Sequence, residues 1–243
     1  MKFRKETNLD AVKQMASTFI YADFDVSNPL APAIVQHPFT NSAFVSIPGY
    51  KDNIVNILDD EDGLAMWQEF IKKRIRQAGS AESIMTLVSK NYRICLFDYI
   101  LPYLSVEDMS YLLASIWTNL ETVNDNGVMT QRKLLGLFKQ AVPEYLMDSK
   151  EREALRGLPE TVTVYRGFTE ERNPNFTKAL SWTTNRKTAR WFALRFSRTG
   201  RVAKATIPKE HIHAFFAPGN EDEVIVDSKF LDIIEVKNVR RWN

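Results

Sequence analysis

The chain has 243 residues, enough for one large domain or two small ones, and 44% hydrophobic with 12% aromatic residues excludes a disordered chain. A formal net charge of +2 is too small to imply a polyanionic partner by itself. The single cysteine, Cys95, excludes an intrachain disulfide, and its neighbours Ile94, Leu96 and Phe97 make it a small buried hydrophobe.

The first residues, Met1 to Asn8, are positively charged, but no apolar run of signal-peptide length follows. No stretch approaches the ~20 apolar residues that span a bilayer. The expectation is a soluble, cytoplasmic protein with no signal peptide and no membrane partner, with delivery by a signal-less route left open.

Residues 1–62 are the least readable part, because prolines at 29, 32, 38 and 48 interrupt any long helix. Phe39, Phe44, Val45 and Ile47 between Pro38 and Pro48 suggest packed irregular chain or a short strand. The acidic run Asp59 to Asp62 reads as a helix N-terminus, since negative charge is favoured there; it lacks calcium-loop spacing. Leu64, Trp67, Phe70, Ile71 and Ile75 then follow helical spacing. Further helices are predicted over 81–89 and 91–101, the latter ending near Pro102. Ser105 starts another, through Trp117 or beyond. Asn124 to Gly127 is a turn cluster. Thr130 caps a helix carrying Leu134, Leu135, Leu137 and Phe138, and Asp148 with Glu151 forms a capping box for 149–156.

The pattern changes after Gly157-Leu158-Pro159. Strands are predicted at 161–165, 178–183, 201–207, 212–216, 223–227 and 231–239, with one helix starting at Thr184 or Asn185. Trp191, Phe192 and Phe196 on that helix are expected in the core. The fold class is therefore α+β: a mainly helical region 1–157, then a mixed, mainly antiparallel β core over 158–243. No linker is evident, so the two parts could share one interface.

Three short strings in the second part carry chemistry. Arg166 lies between Tyr165 and Gly167; a guanidinium fork suits phosphate, and a glycine lets backbone approach a ligand. The alternative is a surface arginine at a strand end. Ser181, Trp182, Thr183 and Thr184 offer hydroxyls that could orient a carboxylate, or could simply cap a helix. Alternation directs Ser181 and Thr183 to one face and Trp182 to the core. Glu221 and Glu223, one residue apart, would share a face if extended, with Asp222 on the other; the alternative is a solvated acidic turn. Tyr165, Trp182, Phe215 and Phe216 are candidates to stack on an aromatic ligand. His211 and His213 beside Glu210 do not make a zinc set, and no metal is expected. Residues 186–204 carry seven cations and no acid, which suits a solvated helix face or the steering of an anion.

The order Arg166, Ser181, Glu221-Asp222-Glu223 resembles the arginine–serine–glutamate class of mono-ADP-ribosyltransferases, the class of cholera toxin and the clostridial binary toxins. The resemblance covers roughly residues 158–240. It departs from the family's Ser-Thr-Ser pattern at Trp182 and Thr183. It implies NAD as substrate, held by Arg166, Gly167, Ser181, Thr183 and Phe216. Glu223 would be the catalytic glutamate, oriented by Ser181, and Glu221 would assist an acceptor, classically a protein arginine. The helical region is similar to the front half of transferase-like proteins of phages and mobile elements, a likeness resting on no motif; a phage origin would place the protein in a host cytoplasm.

The expected activity is transfer of ADP-ribose from NAD to a macromolecule, most simply a protein. Alternatives are an NAD glycohydrolase, a nucleic-acid ADP-ribosyltransferase using the basic stretch 186–204, and a non-catalytic interaction protein that keeps the fold.

Overall fold

The computed structural model describes residues 3–26, 31–50, 54–119, 127–171, 174–217, 219 and 221–241. The protein is an α+β fold whose chain divides into two compact units, Met1–Leu112 and Leu113–Asn243. Pro29, most of the turn cluster at 124–127, and Pro218 with Asn220 lie outside the described residues.

In the first unit, helix α1 (Leu9–Thr18) is capped by the Asn8 side chain, which accepts from Ala11 N at 3.1 Å. It buries only Val12 and Ala16, an apolar stripe too thin to be legible in the sequence. Two small antiparallel pairs follow: β1 (Ile34–His37) with β2 (Thr40–Ser42), and β3 (Phe44–Ser46) with β4 (Ile54–Asn56). Pro38 sits in the first turn, where its missing N–H breaks no ladder.

Helix α2 (Glu61–Gln77) starts at the acidic run as expected: the Asp60 side chain accepts from Gly63 N at 2.8 Å, and Trp67, Ile71 and Ile75 are buried. Helix α3 (Ala81–Leu87) begins with a capping box between Ser80 and Ser83. Helix α4 (Lys90–Ile100) ends in a 3₁₀ turn containing Pro102.

His37 is fully buried in this unit, stacked on Phe24 at 4.5 Å and edge-on to Trp67 at 5.2 Å. Burial lowers its pKa to about 4, against the opposing pull of the Ile20 and Ala22 carbonyls. The unfolded chain therefore takes up a proton near pH 6.5 that the folded ring refuses until about pH 4. Stability present above pH 6.5 should fall through that window by up to about 3 kcal/mol. Urea midpoints measured from pH 7 to pH 4 should show that slope, and His37→Gln should flatten it.

The second unit takes in the end of helix α5 (Val106–Asn119) and helices α6 (Gln131–Phe138), α7 (Pro143–Leu146) and α8 (Ser149–Gly157). Thr130 caps α6, accepting from Lys133 N at 3.2 Å, and Asp148 with Glu151 forms the capping box of α8. The division falls at residue 112 rather than at 157, because these helices pack with the β core. Phe138 meets Phe216, Lys139 reaches Asp227 at 2.6 Å, and Phe215 N donates to Met147 Sδ at 3.3 Å.

That core is β5 (Thr161–Phe168), β6 (Ser181–Thr183), β7 (Thr199–Pro208), β8 (Ile212–Phe216), β9 (Glu223–Val226) and β10 (Asp232–Arg240). They form one antiparallel sheet in the order β10-β7-β5-β6-β9-β8. Helix α9 (Arg186–Leu194) packs on β5 and β7 through its small residues Ala189 and Ala193. Asn185 caps it, accepting from Lys187 N and Thr188 N.

The expectation that Trp191, Phe192 and Phe196 are core is overturned: they are 53%, 38% and 65% exposed. Two alanines and two glycines close the helix–sheet gap so tightly that no room is left for rings on that side.

Candidate functional site

The sheet register assembles the site. Tyr165 pairs with Thr183, Thr183 with Glu223, and Glu223 with Phe216, so one line crosses β5, β6, β9 and β8. Thr183 and Glu223 are directly opposed, and Ser181 lies diagonal to Glu223 on the same face of β6. Arg166 follows Tyr165 on β5, and all three sequence motifs meet here.

Glu223 is held from several sides. The Trp117 indole donates to Glu223 Oε2 at 3.1 Å, and the Ser181 side chain also hydrogen-bonds the carboxylate. Burial pushes the Glu223 pKa above the usual carboxylate range; the bonds from Ser181 and Trp117 oppose this, the nearby Glu221 charge adds to it, and Arg166 opposes it. A carboxylate kept ionised here is poorly hydrated, and its field acts strongly on any cation brought close.

Arg166 donates through Nη1 to the Ser181 carbonyl, which fixes it against β6. Its Nε is buried without a hydrogen-bond partner. Burial lowers its pKa to about 10, with Glu223 pulling it back up, so the guanidinium stays charged at neutral pH. A half-buried cation with a buried, unused donor is a fitting partner for an anionic group.

Glu221 is outside β9. Asp222 has φ +47°, so the extended alternation expected across residues 221–223 breaks at Asp222. The two glutamates nonetheless remain within electrostatic reach of one another. Burial raises the Glu221 pKa, while the Arg195 cation opposes the rise.

Thr183 is 6% exposed, and its hydroxyl donates to the Glu221 carbonyl at 2.6 Å while accepting from Asn185 N at 2.9 Å. Thr184 N donates to the Asp222 carbonyl at 3.1 Å, and Asn185 Nδ2 reaches the Asp222 carboxylate at 3.3 Å. These bonds pin the Glu221–Asp222 turn to the end of β6, so Thr183 shapes the site rather than facing a ligand. Thr183→Val leaves the partly buried Glu221 carbonyl and Asn185 N–H without this partner. It is expected to cost about 1–3 kcal/mol in urea unfolding.

Two further residues have different surroundings from those expected. Phe216 is 1% exposed and packs edge-on to Phe138, so its ring presents no open face for stacking. At Gly167 a Cβ would lie 1.8 Å from the Ala189 carbonyl, so the backbone approach that requires glycine is to helix α9. Trp182 is buried as expected, its indole donating to the Ala179 carbonyl at 3.0 Å.

Trp117 and Arg195 are the members that sequence reasoning missed. Trp117 read only as the end of a helix, and no local signal tells that its indole meets a residue 106 positions later. Among the described residues no group of three His, Cys, Asp or Glu is placed to hold a metal, and no helix is long and apolar enough to cross a membrane.

No protein-family model matches this chain, and no curated protein or solved structure does.

Proposed function

We propose that the protein cleaves NAD at the nicotinamide–ribose bond and transfers ADP-ribose to a macromolecular acceptor, by resemblance a protein arginine. The observation that carries this reading is the setting of Glu223: a half-buried carboxylate hydrogen-bonded by Trp117 and Ser181, with Arg166 and Glu221 in electrostatic reach. A solvated acidic turn would have none of this.

The chemistry follows from charge. As the glycosidic C–N bond breaks, both electrons leave with nicotinamide and positive charge builds on the ribose. A fixed carboxylate at that ribose stabilises the transition state more than the ground state. Glycosidases use carboxylates at an oxocarbenium-like centre in the same way. Glu223 takes this role. Ser181 and Trp117 hold its orientation without neutralising it. Arg166 offers its charge and its unused Nε donor to the pyrophosphate. Glu221 accepts the proton that the acceptor nucleophile loses as it bonds to the ribose carbon; burial raises its affinity for that proton. Gly167, Thr183 and Phe216 serve by packing and by holding the turn.

The test is labelled NAD incubated with the purified protein, with and without a cell lysate. Label on discrete protein bands supports the reading. Nicotinamide release without labelled macromolecules would replace transfer by hydrolysis. No NAD consumption together with no NAD binding by calorimetry would leave a non-catalytic protein.

A further inference from the structure

The exposed aromatics of α9 do not stand alone. A cleft of about 390 Å³ opens beside them, lined by Lys187, Arg190, Trp191, Leu194 and Arg241. Three of the five lining residues are cations and none is an acid. Among the described residues, none of those three cations is in an ion pair. Trp191 is half exposed at one side, with the Arg195 guanidinium 5.2 Å from its ring centre and the Phe192 ring edge-on at 4.9 Å. Arg195 also lies 4.8 Å from the Phe196 ring.

The cleft is built on a fixed frame. Cβ atoms at Gly167 and Gly200 would come within 1.8 Å and 2.2 Å of α9 carbonyls, so the helix sits as close to the sheet as backbone allows. The Arg190 guanidinium donates to the Arg240 carbonyl at 2.5 Å, and Arg241 N donates to the Arg198 carbonyl at 2.9 Å. These bonds bring Arg241, from the far end of the chain, beside α9. Arg190 loses no charge by bonding a carbonyl.

The basic stretch 186–204 does not act as a whole. Arg201 pairs with Glu170 and lies over Phe168. Among the described residues, Arg186, Lys187 and Arg190 of α9, together with Arg241, are among the cations in no ion pair.

We propose that this cleft and the aromatic face beside it bind single-stranded nucleic acid, a base stacking on Trp191 and the flanking phosphates meeting Lys187, Arg190 and Arg241. Both halves of the surface are needed to choose the ligand. Unpaired cations alone would suit any polyanion. Exposed rings add affinity only for a ligand with open aromatic faces. A duplex keeps its bases stacked on each other, and an acidic peptide offers carboxylates but no rings. The proposal requires no NAD chemistry and goes beyond the proposed activity.

The experiment is fluorescence anisotropy of labelled 12-nucleotide oligouridylate and oligothymidylate with the full chain, without NAD, over a series of salt concentrations. Binding of either oligomer supports the proposal, and the tighter one indicates whether RNA or DNA is the natural source. Affinity should fall steeply as salt rises. Trp191→Ala should weaken binding about 5- to 150-fold, the span expected for loss of one stacked base, and Trp191→Phe should restore much of it. Arg190→Glu with Arg241→Glu should flatten the salt dependence. Trp191 is at the surface, and an unchanged unfolding midpoint verifies that the variant folds. Equal binding of a duplex, equal competition by polyglutamate, or no binding at low salt would each overturn the proposal.

Discussion

Under the proposed activity, Glu223→Gln is expected to reduce NAD turnover by about 10²- to 10³-fold, the order lost when a charge-stabilising group is removed from a transition state, while the protein becomes no less stable. The neutral amide keeps the shape of the side chain, and its carbonyl can still accept from Trp117 and Ser181. It lacks the charge that opposes a developing ribosyl cation. The native carboxyl has its pKa raised, chiefly by burial. Folding at neutral pH therefore pays for ionised Glu223, and removing that charge should raise stability, by about 1 kcal/mol on the scale typical of relieved active-site strain. Arg166 loses its counter-charge in the variant, which opposes the gain; the raised pKa means that burial outweighs it. Calorimetric scans beside NAD turnover decide the matter. Loss of turnover at constant or higher Tm supports a functional carboxylate. Normal turnover removes Glu223 from the mechanism. A marked fall in Tm would make it a structural residue.

The same pKa direction fixes the pH profile. In the proposed activity the ionised carboxylate is the active form, so NAD turnover by that route should fall on the acid side with a midpoint above the ordinary glutamate value. Glu221, also raised, should steepen that limb for transfer to an acceptor more than for nicotinamide release.

Gly167→Ala is expected to produce the largest loss of stability of any single methyl addition to the β core. The new Cβ would lie 1.8 Å from the Ala189 carbonyl oxygen and 2.6 Å from Ala193 N. Both are backbone atoms of α9, which can yield only if the helix lifts from the sheet. Overpacking commonly costs about 1–3 kcal/mol, and a contact with rigid backbone belongs at or above the top of that range. Lifting α9 would also disturb β6, which leads into the helix through Asn185, so Ser181 and Thr183 should shift with it. Gly200→Ala faces the Ala193 carbonyl at 2.2 Å and should be nearly as severe. Gly136 supplies the control: it lies within α6 with nothing inside 4 Å of its built Cβ, and Gly136→Ala should stabilise by about 0.5–1 kcal/mol. Urea unfolding of the three variants tests the ordering. A near-neutral Gly167→Ala would mean that α9 is less closely seated than described.

Which parts of this were legible depends on how far each signal travels along the chain. Helices α2 to α6 and α8 announce themselves through caps and apolar spacing within a few residues, as at Asp60, Ser80, Thr130 and Asp148. The strands of the second unit do so through β-branched and aromatic runs. Helix α1 and the two small β pairs carry too few buried positions for a pattern. The three motifs were visible as strings because each is local, and the antiparallel register of β5, β6 and β9 is what joins them.

By itself the sequence determined the α+β class and most element positions, and it offered Arg166, Ser181, Glu221 and Glu223 as the candidates for chemistry. Tertiary structure decided the rest. It brought Trp117 to Glu223, turned Thr183 inward to hold the Glu221 turn, buried Phe216, and gave Gly167 to helix packing. It also set the ring of Trp191 outside. The physical reason is the same in each case. Periodicity reports which side of an element is apolar, but the distance between two elements depends on the size of the residues that meet, and in this chain those residues lie far apart in sequence.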